Sequence, residues 1–269
     1  MAPRIQSPSS INYYKMCPRC YYYRYIKKVQ LPGSIHLLRG NLVHTALEDF
    51  FKVGINSIHK EHYEMELNII LQSLFKTKWD EAKEELNKLG LNEKQQSFYF
   101  QESVNMINNW FARFISKVNR RAERTNLEEA FNTFKPLTEE YYESKTHMVR
   151  GYIDAIEHIE GATTLIDYKT SKRDHMSDEY KLQLAIYAMM YEDKNGEKPA
   201  SVGIDFLRHG IKYLEVNQEL VDHAIKECKL IQEKTQTENI EDYPKSGHIF
   251  CECKKYEEIL EKTTLDQFQ

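Results

Sequence analysis

The spacing of apolar residues changes near residue 137, and this change limits the fold class of the chain. Residues 61–89 and 93–125 carry apolar side chains every three or four positions, which predicts two long amphipathic helices. After Pro136 the apolar stretches become short and are separated by turn residues, which is typical of strands. Three such stretches in succession predict an antiparallel meander over residues 138–144, 147–157 and 163–170.

The pattern after the meander returns to helix, so strands and helices are mixed. Residues 177–192 are apolar nearly all round, which predicts a helix buried on the sheet. Residues 202–207 and 211–216 predict a second hairpin, and residues 218–236 a further helix. Cys228 continues the apolar stripe of that helix and is interpreted as a core residue. The chain is therefore expected to be an α/β protein.

The first 60 residues are basic, although the net charge of the whole chain is −4. They contain nine Lys and Arg residues and two acidic residues, interleaved with tyrosines. The sequence predicts one capped helix over residues 7–29 and a second helix starting near Leu37. A basic segment rich in tyrosine could follow a phosphate backbone and stack on bases. It could equally be an amphipathic helix whose tyrosines pack inward.

Several classes of protein are disfavoured by the sequence. No apolar run approaches the roughly 20 residues that a membrane span needs, and the N-terminus lacks a signal-peptide core. We expect a soluble, intracellular (cytoplasmic) protein that does not act at a membrane. The 269 residues suffice for one large domain or two small ones. In such a compartment the five cysteines predict metal ligands or buried thiols rather than disulfides.

Two predicted strands carry the residues that indicate chemistry. Asp154 lies in one strand, and Asp167 and Lys169 lie in the next. Because side chains alternate along a strand, Asp167 and Lys169 project to the same face. Two carboxylates from adjacent strands can hold a divalent cation such as Mg²⁺ or Mn²⁺, and a neighbouring lysine can orient or deprotonate a water. Taken alone, an Asp-x-Lys tripeptide is more commonly a solvated ion pair.

The wider spacing of motifs favours a site over an ion pair. Gln183 and Tyr187 share a helix face four residues apart, and His44 lies on an upstream helix. The ordered motifs resemble those of RecB-type nucleases of the PD-(D/E)XK superfamily. These motifs are Ser7-x-Ser9/Ser10 with Tyr14-x-x-Cys17-Pro18-Arg19, Gly40-x-x-x-His44-x-x-Leu47-Glu48, Gly151-x-x-Asp154, Asp167-x-Lys169 and Gln183-x-x-x-Tyr187.

The resemblance implies a role for each matched residue. It implies a divalent metal held by His44, Asp154, Asp167 and the main-chain carbonyl of Tyr168. Lys169 would be the catalytic lysine, acting together with Asp154 and Asp167. The residues implied to contact DNA or to support the site are Gln183, Tyr187, Arg19 and Arg39.

Four of the cysteines resemble part of a cluster found in a subgroup of this family. Some RecB-like nucleases, including the AddB subunit and the CRISPR adaptation exonucleases, hold a [4Fe–4S] cluster between the two ends of the chain. Here the candidates are Cys17, Cys20, Cys251 and Cys253. Four thiolates suit either an iron–sulfur cluster or zinc, and unligated thiols are the alternative.

The resemblance implies a single nuclease domain over residues 1–269, with a restriction-endonuclease-like core and a helical insertion at about 56–135. The core would be a mixed central sheet flanked by helices. The insertion could form an arch over single-stranded DNA, because five basic residues share a helix face, although a solvated face is equally compatible. These residues are Arg113, Lys117, Arg120, Arg121 and Arg124.

The function implied is metal-dependent hydrolysis of DNA, as an exonuclease on single-stranded DNA ends in DNA repair, recombination or CRISPR adaptation. A helicase or recombination protein would be a partner. Two alternatives stay open at this point: a structure-specific endonuclease, and a non-catalytic DNA-binding subunit built on a nuclease fold. An intact set of Asp154, Asp167 and Lys169 argues against the second.

Overall fold

A computed structural model describes residues 4–55 and 58–266, and in that part of the chain five strands form one mixed sheet. The sheet order follows the chain, β1-β2-β3-β4-β5, with β3 and β4 parallel and the other neighbours antiparallel. The meander and the second hairpin are thereby confirmed. The strands are β1 Leu137–Ser144, β2 Val149–Ile159, β3 Ala162–Lys169, β4 Ser201–Phe206 and β5 Gly210–Glu215.

Helices cover both faces of this sheet. The helix after β3 makes the connection that a parallel β3–β4 pair requires. The helices are α1 Pro8–Met16, α2 Pro18–Tyr21, α3 Ile35–Phe50, α4 Tyr63–Glu81, α5 Lys83–Lys88, α6 Glu93–Ala122, α7 Leu127–Phe134, α8 Asp178–Asn195, α9 Gln218–Lys234 and α10 Cys253–Asp266. This mixed sheet between helices is the restriction-endonuclease-like α/β architecture that the motifs implied.

Two core clusters separate the layers. One lies between α3, α4, α6 and α7 and the face of the sheet that carries Ile166 and Tyr168. The other lies on the opposite face, where α8 and α9 pack against Leu165 and Ile204. The prediction of a buried helix after the meander is confirmed, and so is the core position of Cys228. Within the described residues, no helix has the length and apolar character needed to cross a membrane.

The N-terminal helix prediction was wrong in its extent. Residues 7–29 do not form one helix, because Cys17 adopts an extended backbone (φ −160°, ψ 108°) between α1 and α2. The residue before a proline is driven out of the helical region by the proline ring, and Pro18 follows Cys17. A π-helical turn, Tyr22–Ile26, continues from α2.

The tyrosines of this segment pack inward. Tyr21, Tyr22 and Tyr23 are buried with Tyr243 and Tyr256 around the N-terminal cysteines. Of the two interpretations of the basic, tyrosine-rich segment, inward packing therefore applies to these three residues. They do not offer a surface on which bases could stack.

Two of the five basic residues that were predicted to share a helix face contact the sheet instead. Arg113 contacts Asp205 of β4 at 2.5 Å, and Lys117 lies 3.4 Å from Glu157 of β2. These contacts pair the two cations with sheet carboxylates and reduce the charge available to DNA. Arg120 and Arg124 remain exposed.

Candidate active site

The site lies where strands β2 and β3 separate. Their backbone pairing runs from Ile159 opposite Ala162 to Ala155 opposite Ile166, and it stops before Asp154 and Asp167. Instead, the backbone N–H of Tyr168 donates a hydrogen bond of 2.7 Å to Oδ2 of Asp154. A carboxylate thus replaces the backbone partner, and the strands open around it.

The opening also exposes a backbone carbonyl. The N–H and C=O groups of one strand residue face the same neighbouring strand. The Tyr168 carbonyl therefore points into the same gap as its N–H, on the side of Asp154. The Tyr168 side chain, on the opposite face of the sheet, is buried in the core beneath α6.

Asp167 is held from three sides. The residue is 2% exposed, and Oδ1 accepts hydrogen bonds from Gln183 Nε2 at 2.7 Å and from the Tyr187 hydroxyl at 3.3 Å. Gln183 also donates to the Tyr187 hydroxyl at 2.9 Å, so the two α8 residues act as a pair. Burial raises the pKa of Asp167 despite the nearby Lys169 ammonium.

Lys169 lies beside Asp167, as strand alternation predicted. Its Nζ is 2.7 Å from Oδ2 of Asp167 and 5.3 Å from the centre of the Tyr180 ring. Burial lowers the pKa of Lys169, but the Asp167 carboxylate outweighs burial and leaves the pKa raised. The side chain is therefore an ammonium at neutral pH.

His44 reaches the site from α3. Its Nδ1 lies 3.3 Å from Oδ2 of Asp154, and its ring meets that of Tyr168 edge-on at 5.8 Å. Burial lowers the pKa of His44, but Asp154 outweighs it and the pKa is raised. Burial alone would raise the pKa of Asp154, yet His44 and the Tyr168 N–H lower it. His44 and the Tyr168 N–H therefore favour the ionised form of Asp154, whereas burial opposes ionisation of Asp167.

Glu139 is a member of the site that the sequence did not indicate. It lies on β1 opposite Asp154, in a position absent from the backbone pairing, and has a left-handed φ of 51°. Burial and then the Asp154 charge raise the pKa of Glu139 to about 7. The sequence shows only two consecutive glutamates in a strand, and neither the register nor the positive φ can be read from it.

The donor set fits a divalent cation. One ligand atom from each of His44, Glu139 and Asp154 lies within 4.8 Å of the others. Oδ2 of Asp167 is buried and has no hydrogen bond of good geometry, even though the Lys169 ammonium is close. The Lys169 ammonium at 2.7 Å compensates the charge of this oxygen, so the case for a cation rests on His44, Glu139 and Asp154. Carboxylate oxygens with one imidazole are ligands that Mn²⁺ accepts and Mg²⁺ accepts in part.

A basic pocket adjoins Lys169. It has a volume of about 500 Å³, and Arg39 forms part of its wall. Arg39 is 2% exposed and donates to Glu102 of α6 at 2.7 Å, and Glu102 also accepts from Arg208 at 2.9 Å. The Nε atoms of both arginines lack a hydrogen-bond partner. The lining residues are His36, Arg39, Lys169, Thr170, Ser171, Lys172 and Tyr180.

Arg19 lies elsewhere. Its Nε donates to the Tyr243 carbonyl at 2.6 Å, beside the cysteines and away from the carboxylates. The two arginines that the resemblance grouped together therefore occupy different parts of the molecule. Arg39 borders the site, whereas Arg19 supports the join between the ends of the chain.

The four cysteines predicted as ligands do come together. Cys17 and Cys20 from the N-terminal segment meet Cys251 and Cys253 from the C-terminal segment, with their sulfurs within 4.8 Å of one another. All four are free thiols, and three of them are buried. Such a group could bind a metal.

Comparison with known proteins places this geometry in a family. The sequence model of the PD-(D/E)XK nuclease superfamily matches residues 6–261. The chain belongs to the PD-(D/E)XK nuclease superfamily. The tripeptide Asp167-Tyr168-Lys169 fits the second half of that name, while Ile153 stands before Asp154 in place of the proline.

A solved structure agrees with the fold of this PD-(D/E)XK nuclease. A crystal structure of a proposed exonuclease from Eubacterium rectale superposes with a TM-score of 0.51 at 12% identity. The alignment covers 93% of this chain and 86% of the other. At this identity the similarity establishes the shared architecture alone. A search of curated protein sequences finds no match to the chain.

Proposed function

We propose that this PD-(D/E)XK nuclease is a Mg²⁺- or Mn²⁺-dependent exonuclease that degrades DNA from single-stranded ends. The observation that carries the proposal is the convergence of Asp154, Asp167 and Lys169 at the opening between β2 and β3. His44 and Glu139 form with Asp154 a group of acidic and imidazole ligands whose ligand atoms lie within 4.8 Å of one another.

The proposed ligands are His44, Asp154, Asp167 and the Tyr168 carbonyl, to which the structure adds Glu139. A divalent ion bound there would lower the pKa of a water and neutralise charge on the phosphate that is attacked. The imidazole of His44 favours Mn²⁺ over Mg²⁺, since Mg²⁺ prefers an all-oxygen shell.

Lys169 would stabilise negative charge rather than remove a proton. Its raised pKa keeps it an ammonium, so it can donate a hydrogen bond to an attacking water or to a phosphate oxygen. Because Lys169 lies on the same strand face as Asp167, its ammonium group is held close to this proposed metal ligand, at 2.7 Å from Oδ2. Of the two roles considered for the lysine, orienting water and deprotonating it, the charge state supports the first.

Gln183 and Tyr187 would act through Asp167. Both donate to Oδ1, and this leaves Oδ2 to face the Lys169 ammonium at 2.7 Å. A carboxylate fixed in this way presents a constant geometry to a cation. We therefore assign these two residues as positioning residues.

The recessed position of the site supports single-stranded ends as the substrate. The exposed fractions of the Asp167, Asp154 and Lys169 side chains are 3%, 12% and 23%. A single strand can enter a recess whose walls are α3 and α8 more readily than a duplex about 20 Å wide can. The pocket around Arg39 would then hold a phosphate next to the one that is cleaved.

A structure-specific endonuclease is the second candidate, because the same metal and lysine chemistry would also cleave an internal phosphodiester bond. A non-catalytic DNA-binding subunit agrees less well with the site, because Asp154, Asp167 and Lys169 are all retained in the sequence.

Several finer points stay predictions. They are the role in repair, recombination or CRISPR adaptation, the intracellular location and a helicase partner. The domain organisation also stays a prediction. It describes residues 1–269 as one nuclease domain with a helical insertion at about 56–135, which includes α4–α7.

Digestion of matched DNA substrates tests the proposed function. We expect end-labelled linear single strands to be degraded with Mn²⁺ and more slowly with Mg²⁺, while circular single strands of the same sequence persist. Asp167→Asn should abolish degradation of the linear strands with Mn²⁺ and with Mg²⁺, because the Asp167 carboxylate is a proposed metal ligand. Cleavage of the circle at the rate of the linear strand would establish the endonuclease, and no cleavage of any substrate would contradict the nuclease proposal.

Removing a charge from the mouth of the basic pocket should weaken DNA binding without stopping the chemistry. For Lys172→Ala we expect KM for single-stranded DNA to rise by about 3- to 10-fold, with little change in kcat. The salt dependence of binding should become shallower by about one counterion. Lys229→Ala, an exposed lysine on α9, is the matched control and should change neither quantity. An unchanged salt dependence in Lys172→Ala would remove this pocket from the DNA path.

A further inference from the structure

The arrangement of the four cysteine sulfurs is that of ligands around one ion. The Sγ atom of Cys17 lies 3.4 Å from the Sγ atom of Cys251 and 3.6 Å from that of Cys253. The Sγ atom of Cys20 lies 3.8 Å from that of Cys251 and 3.4 Å from that of Cys253. The Sγ atoms of Cys251 and Cys253 are 3.3 Å apart. These five distances are nearly equal, and the Cys17 and Cys20 sulfurs lie within 4.8 Å of each other, so the four sulfurs cannot lie in one plane and form a compact tetrahedron.

The edge of this tetrahedron matches a single zinc ion. Zinc binds thiolates at about 2.3 Å with tetrahedral geometry, which places the four sulfurs about 3.8 Å apart. In a [4Fe–4S] cluster each thiolate binds its own iron and points away from the cube, so the sulfurs are roughly 6 Å apart. The observed distances of 3.3–3.8 Å leave no room for the cube.

The surroundings oppose an expansion of the site. Cys17 and Cys20 are fully buried and Cys253 is 4% exposed. Tyr13 and Tyr256 are hydrogen-bonded to each other at 2.9 Å, and Tyr21 stacks on Tyr243, in the same cluster. Separating the sulfurs to about 6 Å would displace these packed rings.

The spacing of the cysteines in sequence agrees with this geometry. Cys17-Pro-Arg-Cys20 is the two-residue spacing found at structural zinc sites. Cys251 and Cys253 are separated by one residue, and the N–H of that residue, Glu252, donates to the Cys20 sulfur at 3.2 Å. A backbone N–H directed at a sulfur stabilises its thiolate form.

We propose that the four cysteines bind one structural zinc ion, and not the iron–sulfur cluster found in some RecB-like nucleases. The ion joins residues that are 231 to 236 positions apart in the chain. It fixes α10 and the segment before it against α2. Four protein thiolates leave no open coordination position, so the site is structural rather than catalytic.

Metal analysis of the full-length protein, purified without oxygen, tests the proposal. We expect about one zinc and no iron per chain, and no absorption near 400 nm. Replacement by Co²⁺ should produce the visible d–d absorption bands of a tetrahedral thiolate site. About four irons per chain with absorption near 400 nm would overturn the proposal, and so would a protein that binds neither zinc nor cobalt.

Two variants separate this site from other thiols and from the nuclease site. Cys251→Ser should lower bound zinc at least about tenfold at a fixed free zinc concentration, and Cys228→Ala, a buried thiol outside the cluster, should retain it. Zinc removal by a chelator should lower Tm by on the order of 10 °C. Full zinc in Cys251→Ser would contradict the assignment. Because zinc content does not depend on cleavage of DNA, this result is independent of the proposed nuclease activity.

Discussion

Lys169→Met is expected to reduce kcat on single-stranded DNA by about 10²- to 10³-fold, the usual effect of removing one preorganised donor from a transition state. Methionine keeps much of the length of the side chain but has no charge and no donor. The variant should still bind DNA through the neighbouring basic pocket, so KM should change much less than kcat. The measurement is single-turnover cleavage of an end-labelled strand at saturating Mn²⁺.

The control for this loss is Lys229→Met, which makes the same change on an exposed face of α9. It should cleave at the rate of the wild type. Because Lys169 also offsets the charge of Asp167, Tm and Mn²⁺ affinity should be measured for both variants. A Lys169→Met protein that folds, binds Mn²⁺ and cleaves at the normal rate would refute the catalytic role.

Glu139→Gln is expected to lower Mn²⁺ affinity by about 10- to 100-fold and to reduce cleavage at limiting metal. Glutamine keeps the shape of the side chain and removes the negative charge that faces Asp154. Glu140→Gln is the matched control, because it makes the same change at the neighbouring residue, which is not among the candidate ligands. Isothermal titration with Mn²⁺ compares the three proteins. Equal affinities would mean that Glu139 is not a ligand.

The same substitution should stabilise the metal-free protein at high pH. The pKa of Glu139 is raised from 4.5 to about 7, so the folded state holds this proton more tightly than the unfolded state does. Its contribution to stability is therefore lost as the pH rises from about 4.5 to 7. Above pH 7 the wild type has lost that contribution and Glu139→Gln has not, so Tm of the metal-free variant should be higher at pH 8. Added Mn²⁺ should reverse the order.

The local part of the site could be predicted from sequence because it follows from strand geometry. Alternation in β3 places Asp167 and Lys169 on one face, and the i, i+4 spacing on α8 places Gln183 and Tyr187 together. All four of these residues meet in the structure. The meander β1–β3, the hairpin β4–β5 and the buried helix α8 were predicted for the same reason, because apolar periodicity is a local property.

Local periodicity did not predict three features that depend on a long-range contact or a backbone constraint. Cys17 interrupts a pattern that looks helical, because Pro18 excludes it from the helical region. Glu139 joins the site through the register of β1 on β2 and a left-handed φ, and neither leaves a signal in a single sequence. Arg113 and Lys117 were compatible with either a DNA-facing or a solvated helix face, and the sheet instead supplies Asp205 and Glu157 as their partners.

The sequence by itself determined the α/β class, the order of the five strands and the pairing of Asp167 with Lys169, because each depends on residues close together in the chain. Tertiary structure alone decided that β2 and β3 separate at Asp154, that Glu139 faces it, and that Arg39 borders the lysine while Arg19 does not. It also decided the separation of the four sulfurs, and with it the choice between one ion and a cluster. Distances between residues far apart in the chain depend on how whole elements pack, and no local pattern encodes them.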